Sequence, residues 1–192
     1  MRLMFFAGST REGSYNRKLA RLAHRIAEAN GIEGVVIELK DYPMPLYNGD
    51  LDASDGPPKA AREFRALLGE YQGVFIASPE YNSSIAPLLK NTLDWVTRVR
   101  AKGETGLEVY KSRVFAISGA SPGNYGAMRS LLHLRQILEV GIGATVIPQQ
   151  LALPRAGDAF EEDGSLKDKT LQEMLKAVVE ALAVAARKFA SP

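Results

Sequence analysis

Five short and nearly uninterrupted apolar runs punctuate the chain, and an amphipathic stretch follows each one. The runs are Leu3 to Ala7, Val35 to Leu39, Gly73 to Ser78, Val114 to Ser118 and Ala144 to Ile147. A strand with one wet face alternates apolar and polar residues; these do not, so both of their faces must be covered. The stretches between them carry helical spacing. Leu19, Leu22, Ala23, Ile26 and Ala27 form one stripe, stopped at Gly31. Pro57 and Pro58 open a second helix, as proline can in a first turn. Residues 86–98 carry the single Trp, Trp95, whose simplest place is the core. Ala127 to Val140 follows, and residues 165–189 end the chain with Leu171, Met174, Leu175, Val178, Leu182, Ala185 and Phe189 along one side. Two stretches lack a pattern: Asp41 to Asp50, rich in Pro and Tyr, and the polar connection Arg100 to Ser112.

Strands alternating with helices predict an α/β fold, a doubly wound parallel sheet with helices on both faces. Right-handed crossovers and five strands favour the order 2-1-3-4-5. The expected organisation is a single domain over residues 1–192. In such a sheet ligands sit beyond the carboxyl ends of the strands. The segments after the first, third and fourth strands are therefore where chemistry is expected.

Composition removes several classes. The chain has 192 residues and no cysteine, which excludes a disulfide scaffold, thiol catalysis and a cysteine-held iron–sulfur cluster. Two histidines, His24 and His133, make a His-rich metal site improbable, and no metal site is assigned. Both read as packed or surface residues of their helices. Lys and Arg number 24 against 22 Asp and Glu, and a net +2 does not advertise a nucleic-acid surface. No apolar run approaches the roughly 20 residues that cross a bilayer. A cytoplasmic protein is expected, with neither a membrane nor a nucleic-acid partner.

Gly8 to Asn16 joins the first strand to its helix and is rich in small hydroxyl residues. Unpaired amides at a helix start, together with the helix dipole, favour an anion there. Ser9, Thr10 and Ser14 can donate hydroxyl hydrogen bonds, and Arg11 a charge-assisted one. Gly8 and Gly13 have Walker A spacing, but Ser14 stands where Lys is required and Tyr15 where Ser or Thr is. A monophosphate without a metal fits better than a triphosphate. A plain turn with Asn16 as a helix cap has the same composition. After the third strand, Ser78 to Ser84 (SPEYNSS) offers backbone amides, the ring of Tyr81 and the amide of Asn82, a mixture suited to a planar heteroaromatic ligand. An ordinary turn capped by Asn82 is the simpler alternative. After the fourth strand, Ser118 to Gly126 is a Gly/Ser segment through which a backbone can approach a flat ligand closely.

The segments GSTREGSYNRKLA, SPEYNSSIAPLLKNTLDW, SPG followed by HLRQIL, and AFEEDGSLKD together resemble the NADPH-dependent FMN reductase family, which includes quinone, chromate and azo-dye reductases. The likeness runs from residue 3 to about residue 185, and the PEYN loop with its KN-x-LDW continuation is its most specific part. It implies a flavodoxin-like fold, bound FMN, and NADPH or NADH as electron donor. By resemblance, Ser9, Arg11, Ser14, Tyr15 and Asn16 hold the FMN phosphate. Pro79, Glu80, Tyr81, Asn82 and Ser83 line the isoalloxazine, and Ser118, Gly119, Ala120, Ser121 and Gly123 form the other wall. It further implies a ping-pong transfer of hydride through the flavin to a small acceptor: a quinone, an azo dye, chromate or free flavin. No catalytic side chain is assigned, because flavin nitrogens and water can handle the protons. A homodimer or homotetramer is implied as well, with Arg129 and Tyr125 as candidates for the contact, and the loop at residues 41–50 is either a rigid connection or a lip beside the flavin or a partner subunit. The chain departs from the family at Ser83 and Ala127, which stand where glycine is usual, at Ala86 and Pro87, where Pro-Gly is usual, and in the length of the Arg100 to Ser112 connection. Two other functions compete: a flavodoxin-like electron carrier, disfavoured by the +2 balance, and a phosphate-binding regulatory domain.

Overall fold

The computed structural model describes residues 1–101 and 103–190. In chain order the elements are β1 (Leu3–Ala7), α1 (Tyr15–Ala29), β2 (Gly34–Ile37), α2 (Gly49–Asp55), α3 (Lys59–Gly69), β3 (Gly73–Ala77), β4 (Glu80–Tyr81), β5 (Ser84–Ile85), α4 (Pro87–Arg98), α5 (Glu108–Lys111), β6 (Val114–Ala120), α6 (Met128–Gln136), β7 (Thr145–Leu153) and α7 (Lys169–Ala190). Five strands make one parallel sheet in the order β2-β1-β3-β6-β7, which is the expected 2-1-3-4-5 arrangement and a flavodoxin-like fold.

The continuous apolar runs have their cause in the two packed faces. Along β1, Leu3, Phe5 and Ala7 meet α1 and α7, while Met4 and Phe6 point the other way, toward α3 and α4. Leu19, Leu22, Ala23 and Ile26 of α1 and Leu175, Val178, Val179 and Leu182 of α7 close the first face. Phe64 and Leu68 of α3, Leu89, Leu93 and Val96 of α4 and Leu131 and Leu134 of α6 close the second. Trp95 is fully buried, as the sequence suggested.

Several boundaries differ from the sequence expectation, each for a local reason. The second strand stops at Ile37, because Glu38 turns its carboxylate to Arg17 and Arg21 of α1 and Leu39 begins a short 3-10 turn. The Arg100 to Ser112 connection contains α5, which buries Val109 and Tyr110; four residues are too few to show a period. The helix expected from Ala127 to Val140 is α only to Gln136 and continues as a wider π-helical turn over Ile137–Ile142. The fifth strand extends to Leu153. Pro148, Gln149 and Gln150 break its apolar run, and they are tolerated because β7 is an edge strand that slips register: Phe115 pairs with Val146 but Ile117 with Gln150. The last helix starts at Lys169, where Asp168 accepts the amides of Thr170 (2.8 Å) and Leu171 (3.2 Å). Among the described residues no helix is long and apolar enough to cross a membrane.

Candidate active site

At the carboxyl edge of the sheet, β1 is followed by Gly8, where the chain crosses directly over α4. A Cβ on Gly8 would lie 3.0 Å from Cβ of Leu89 and 3.2 Å from Cδ of Pro79, so only glycine lets the first loop lie this close to the second. The loop then curls on itself. The Arg11 amide donates to Ser9 Oγ (3.4 Å) and the Ser14 amide to the Arg11 carbonyl (3.1 Å). Ser14 caps α1 by accepting the Arg17 amide (3.4 Å). Ser9 and Ser14 are nearly buried, at 7% and 2% exposure. The first turn of α1 contains no acidic residue, so its positive dipole end is uncompensated. The Arg11 guanidinium lies 5.4 Å from the Tyr15 ring, and among the described residues no carboxylate pairs with it. A cation, two hydroxyls and a helix start without an acidic residue in its first turn thus line one cleft.

Asn16 is not the cap of α1, a place taken by Ser14; its side chain bridges two loops. Its Nδ2 donates to the Ala120 carbonyl and its Oδ1 accepts the Ala120 amide, both at 2.9 Å. It joins the first loop to the end of β6.

After β3, Pro79 leads into a hairpin in which β4 and β5 pair antiparallel, Tyr81 opposite Ser84. The two turn residues, Asn82 and Ser83, have φ of 50° and 67°, as a tight hairpin with a primed turn requires. Tyr81 stays 52% exposed beside the cleft. Glu80 points elsewhere: its Oε2 accepts the amides of Arg129 (3.1 Å) and Ser130 (3.3 Å), and its Oε1 takes Nε of Arg129 (2.7 Å) and also Nη2. After β6, the Ser121 amide donates to the Leu153 carbonyl (3.2 Å), which ties the third loop to β7.

The three loops meet in one cleft of about 130 Å³. Ser9, Arg11, Ser14, Tyr15 and Asn16 line it from the first loop, Pro79, Glu80 and Tyr81 from the second, and Ala120 and Ser121 from the third. Pro122 also lines it; sequence reading passed over this residue, whose only signal was its place between Ser121 and Gly123. Asn82 and Ser83 lie at the hairpin turn instead. Ser118 and Gly119 are buried in β6, where Ser118 Oγ accepts the Leu151 amide (3.2 Å) and a Cβ on Gly119 would come within 2.7 Å of the Ser78 carbonyl. Gly123 is exposed beyond Pro122, and its carbonyl accepts the Arg155 amide (3.2 Å). Larger hollows of about 360 and 410 Å³ exist, but neither gathers the three loops. The first sets Asp158 and Asp168 beside Arg155 and Lys167 and so concentrates no positive charge. The second holds His133, whose Nδ1 lies 3.0 Å from Ser84 Oγ.

Two further sequence candidates find their places. The loop at residues 41–50 is strapped to α4: Trp95 Nε1 (2.7 Å) and Asn91 Nδ2 (2.9 Å) both donate to the Pro45 carbonyl, and Asn91 Oδ1 accepts the Tyr47 amide (2.8 Å). Arg129, named for a subunit contact, is engaged within the chain by Glu80 and stacks 4.9 Å from the Tyr125 ring.

A sequence model of the NADPH-dependent FMN reductase family matches residues 1–158. The chain belongs to this family. Among its relatives are a probable NADPH:quinone oxidoreductase of Oryza sativa, 37% identical over 92% of this chain and 84% of that protein, and an NAD(P)H-dependent FMN reductase of Pseudomonas aeruginosa, 33% identical over 98% and 97%. The solved flavoenzyme NAD(P)H:(acceptor) oxidoreductase of Paracoccus denitrificans superposes with a TM-score of 0.80 at 26% identity, covering 98% of both chains. The cleft of this FMN reductase family member suits FMN. The cation, hydroxyls and helix start match a phosphate. Pro79, the Tyr81 ring and Pro122 offer the flat apolar edges that a heteroaromatic ring needs.

Proposed function

We propose that the cleft holds FMN by its phosphate at Ser9, Arg11, Ser14 and the start of α1, with the ring against Pro79–Tyr81 and Ala120–Pro122, and that the chain passes a hydride from NADPH or NADH to a small acceptor. The observation that carries this reading is the convergence of loops from β1, β3 and β6 on one cleft, with an arginine at one end that no carboxylate pairs with among the described residues. When bound, FMN supplies two-electron redox chemistry between the nicotinamide and the acceptor. The chain supplies grip, orientation and access. Arg11 and the α1 dipole neutralise the phosphate. The Asn16 bridge to Ala120 fixes the distance between the phosphate end and the third loop. Backbone amides of the second loop would stabilise negative charge on the reduced ring. No side chain needs to carry a proton. Quinones are the acceptors favoured by the rice relative's name, with azo dyes, chromate and free flavin as others. The same reading puts the protein in the cytoplasm, where reduced nicotinamides are made. It also gives it a partner copy: Tyr125 before α6, Met128 and Leu132 on it and Val140 after it are large apolar residues left exposed.

Steady-state kinetics of the FMN-loaded protein with NADPH and a benzoquinone test the proposal. It predicts parallel double-reciprocal lines, as nicotinamide leaves before the quinone enters. The electron-carrier alternative predicts no NADPH oxidation by the protein alone.

A further inference from the structure

The flavin loop and helix α6 are joined by one carboxylate. Helix α6 starts after Ala127, has no capping side chain of its own, and receives its cap from Glu80, which accepts the amides of Arg129 and Ser130. The same carboxylate pairs with the Arg129 guanidinium, and the Glu80 side chain is only 7% exposed. Both ends of this link are strained. Asn82 and Ser83 in the hairpin and Ala127 before α6 have φ of 50°, 67° and 70°, a region that costs L-residues about 1–2 kcal/mol each. Turns of this kind persist only where their surroundings hold them. The Glu80 clamp, with the His133–Ser84 contact beside it, supplies that hold, because β4 and β5 are two residues long and cannot hold the hairpin alone.

We propose that Glu80 is a positioning residue: its clamp on Arg129 and Ser130 sets the place of the hairpin, and through it the Pro79–Tyr81 wall against which the ring of the flavin rests. The inference deepens the FMN reading and depends on it. Glu80 reaches the cofactor only through the hairpin backbone, so its loss acts on the ring end of the site and leaves the phosphate end intact. Arg11 acts in the opposite sense.

The test compares FMN with riboflavin, which lacks the phosphate, by fluorescence titration of the purified protein. Glu80→Ala is expected to weaken both flavins by the same factor, about tenfold, as a wall that must be ordered on binding replaces a built one. Hydrogen exchange of the hairpin amides should accelerate in that variant, with the α1 amides unchanged. Arg129→Lys should recover part of the affinity that Arg129→Met loses. If Glu80→Ala does not fold, Arg129→Met, which keeps both backbone contacts, replaces it and should weaken both flavins by a smaller common factor. A folded variant that binds both flavins as tightly as the native chain overturns the proposal, and so does one that loses FMN alone. A native chain that binds neither flavin overturns the FMN reading itself, and this inference with it.

Discussion

Arg11 sits at the mouth of the phosphate end with no carboxylate partner among the described residues, so its charge is available to a ligand. Replacing it with alanine is expected to weaken FMN by about ten- to a hundredfold, the worth of one charge-assisted hydrogen bond, and to leave riboflavin untouched. Fluorescence titration with the two flavins checks this. Ser83 gives a stability prediction of opposite sign. Its φ of 67° suits glycine, and its side chain makes no hydrogen bond in the hairpin turn, so Ser83→Gly should stabilise the fold by about 0.5–1 kcal/mol in urea unfolding. The grouping of Ser9, Arg11 and Ser14 at the start of α1 was legible in sequence, because a short loop that runs straight from a strand into a helix keeps its residues together. The roles of Asn16 and Glu80 were not. Asn16 is occupied by a residue 104 positions away and Glu80 by residues 49 and 50 away, and no local pattern encodes such partners.

At the scale of elements, helix α4 explains why the KN-x-LDW stretch is so particular. Lys90 and Asp94 pair across one turn at 2.7 Å, while Asn91 and Trp95 hold the loop that follows β2. Arg98 adds an ion pair to Asp52 of α2 (2.7 Å). That loop is a braced connection, with the Tyr47 ring packed edge-on at 4.9 Å against Trp95. Trp95→Phe keeps most of the buried apolar volume and deletes the bond to Pro45. It should cost about 1–2 kcal/mol and make residues 43–52 the first site of limited proteolysis. The long elements were readable because the sheet is covered on both faces and each helix shows one stripe. The β4–β5 hairpin and α5 were not, since strands of two residues and a helix of four span barely one repeat and show no period. The second half of β7 escaped because Pro148 is acceptable only on an edge strand, and edge position is a property of the assembled sheet.

For the molecule as a whole, the Glu38 link from the end of β2 to α1 sets an acid limit. Burial alone would raise the Glu38 carboxyl, but Arg17 and Arg21 together outweigh it and hold the group below its ordinary value of 4.5. A depressed carboxyl contributes stability above that ordinary value and loses it as pH falls through the folded one. Glu38→Gln should therefore flatten the loss of stability below about pH 4.5 and lower stability at pH 7 by on the order of 1 kcal/mol, as read from melts across pH. The sheet order was within reach of sequence because four right-handed crossovers between five parallel strands leave few topologies. The meeting of three separated loops in one cleft follows from that order, with Gly8 and Asn16 adjusting how closely they approach. The most direct test is the crystal structure of the chain grown with FMN. The account predicts the phosphate within hydrogen-bond reach of Ser9, Arg11, Ser14 and the first amides of α1, with the ring between Pro79–Tyr81 and Ala120–Pro122. A flavin bound away from this cleft, or crystals that stay colourless in excess FMN, would contradict it.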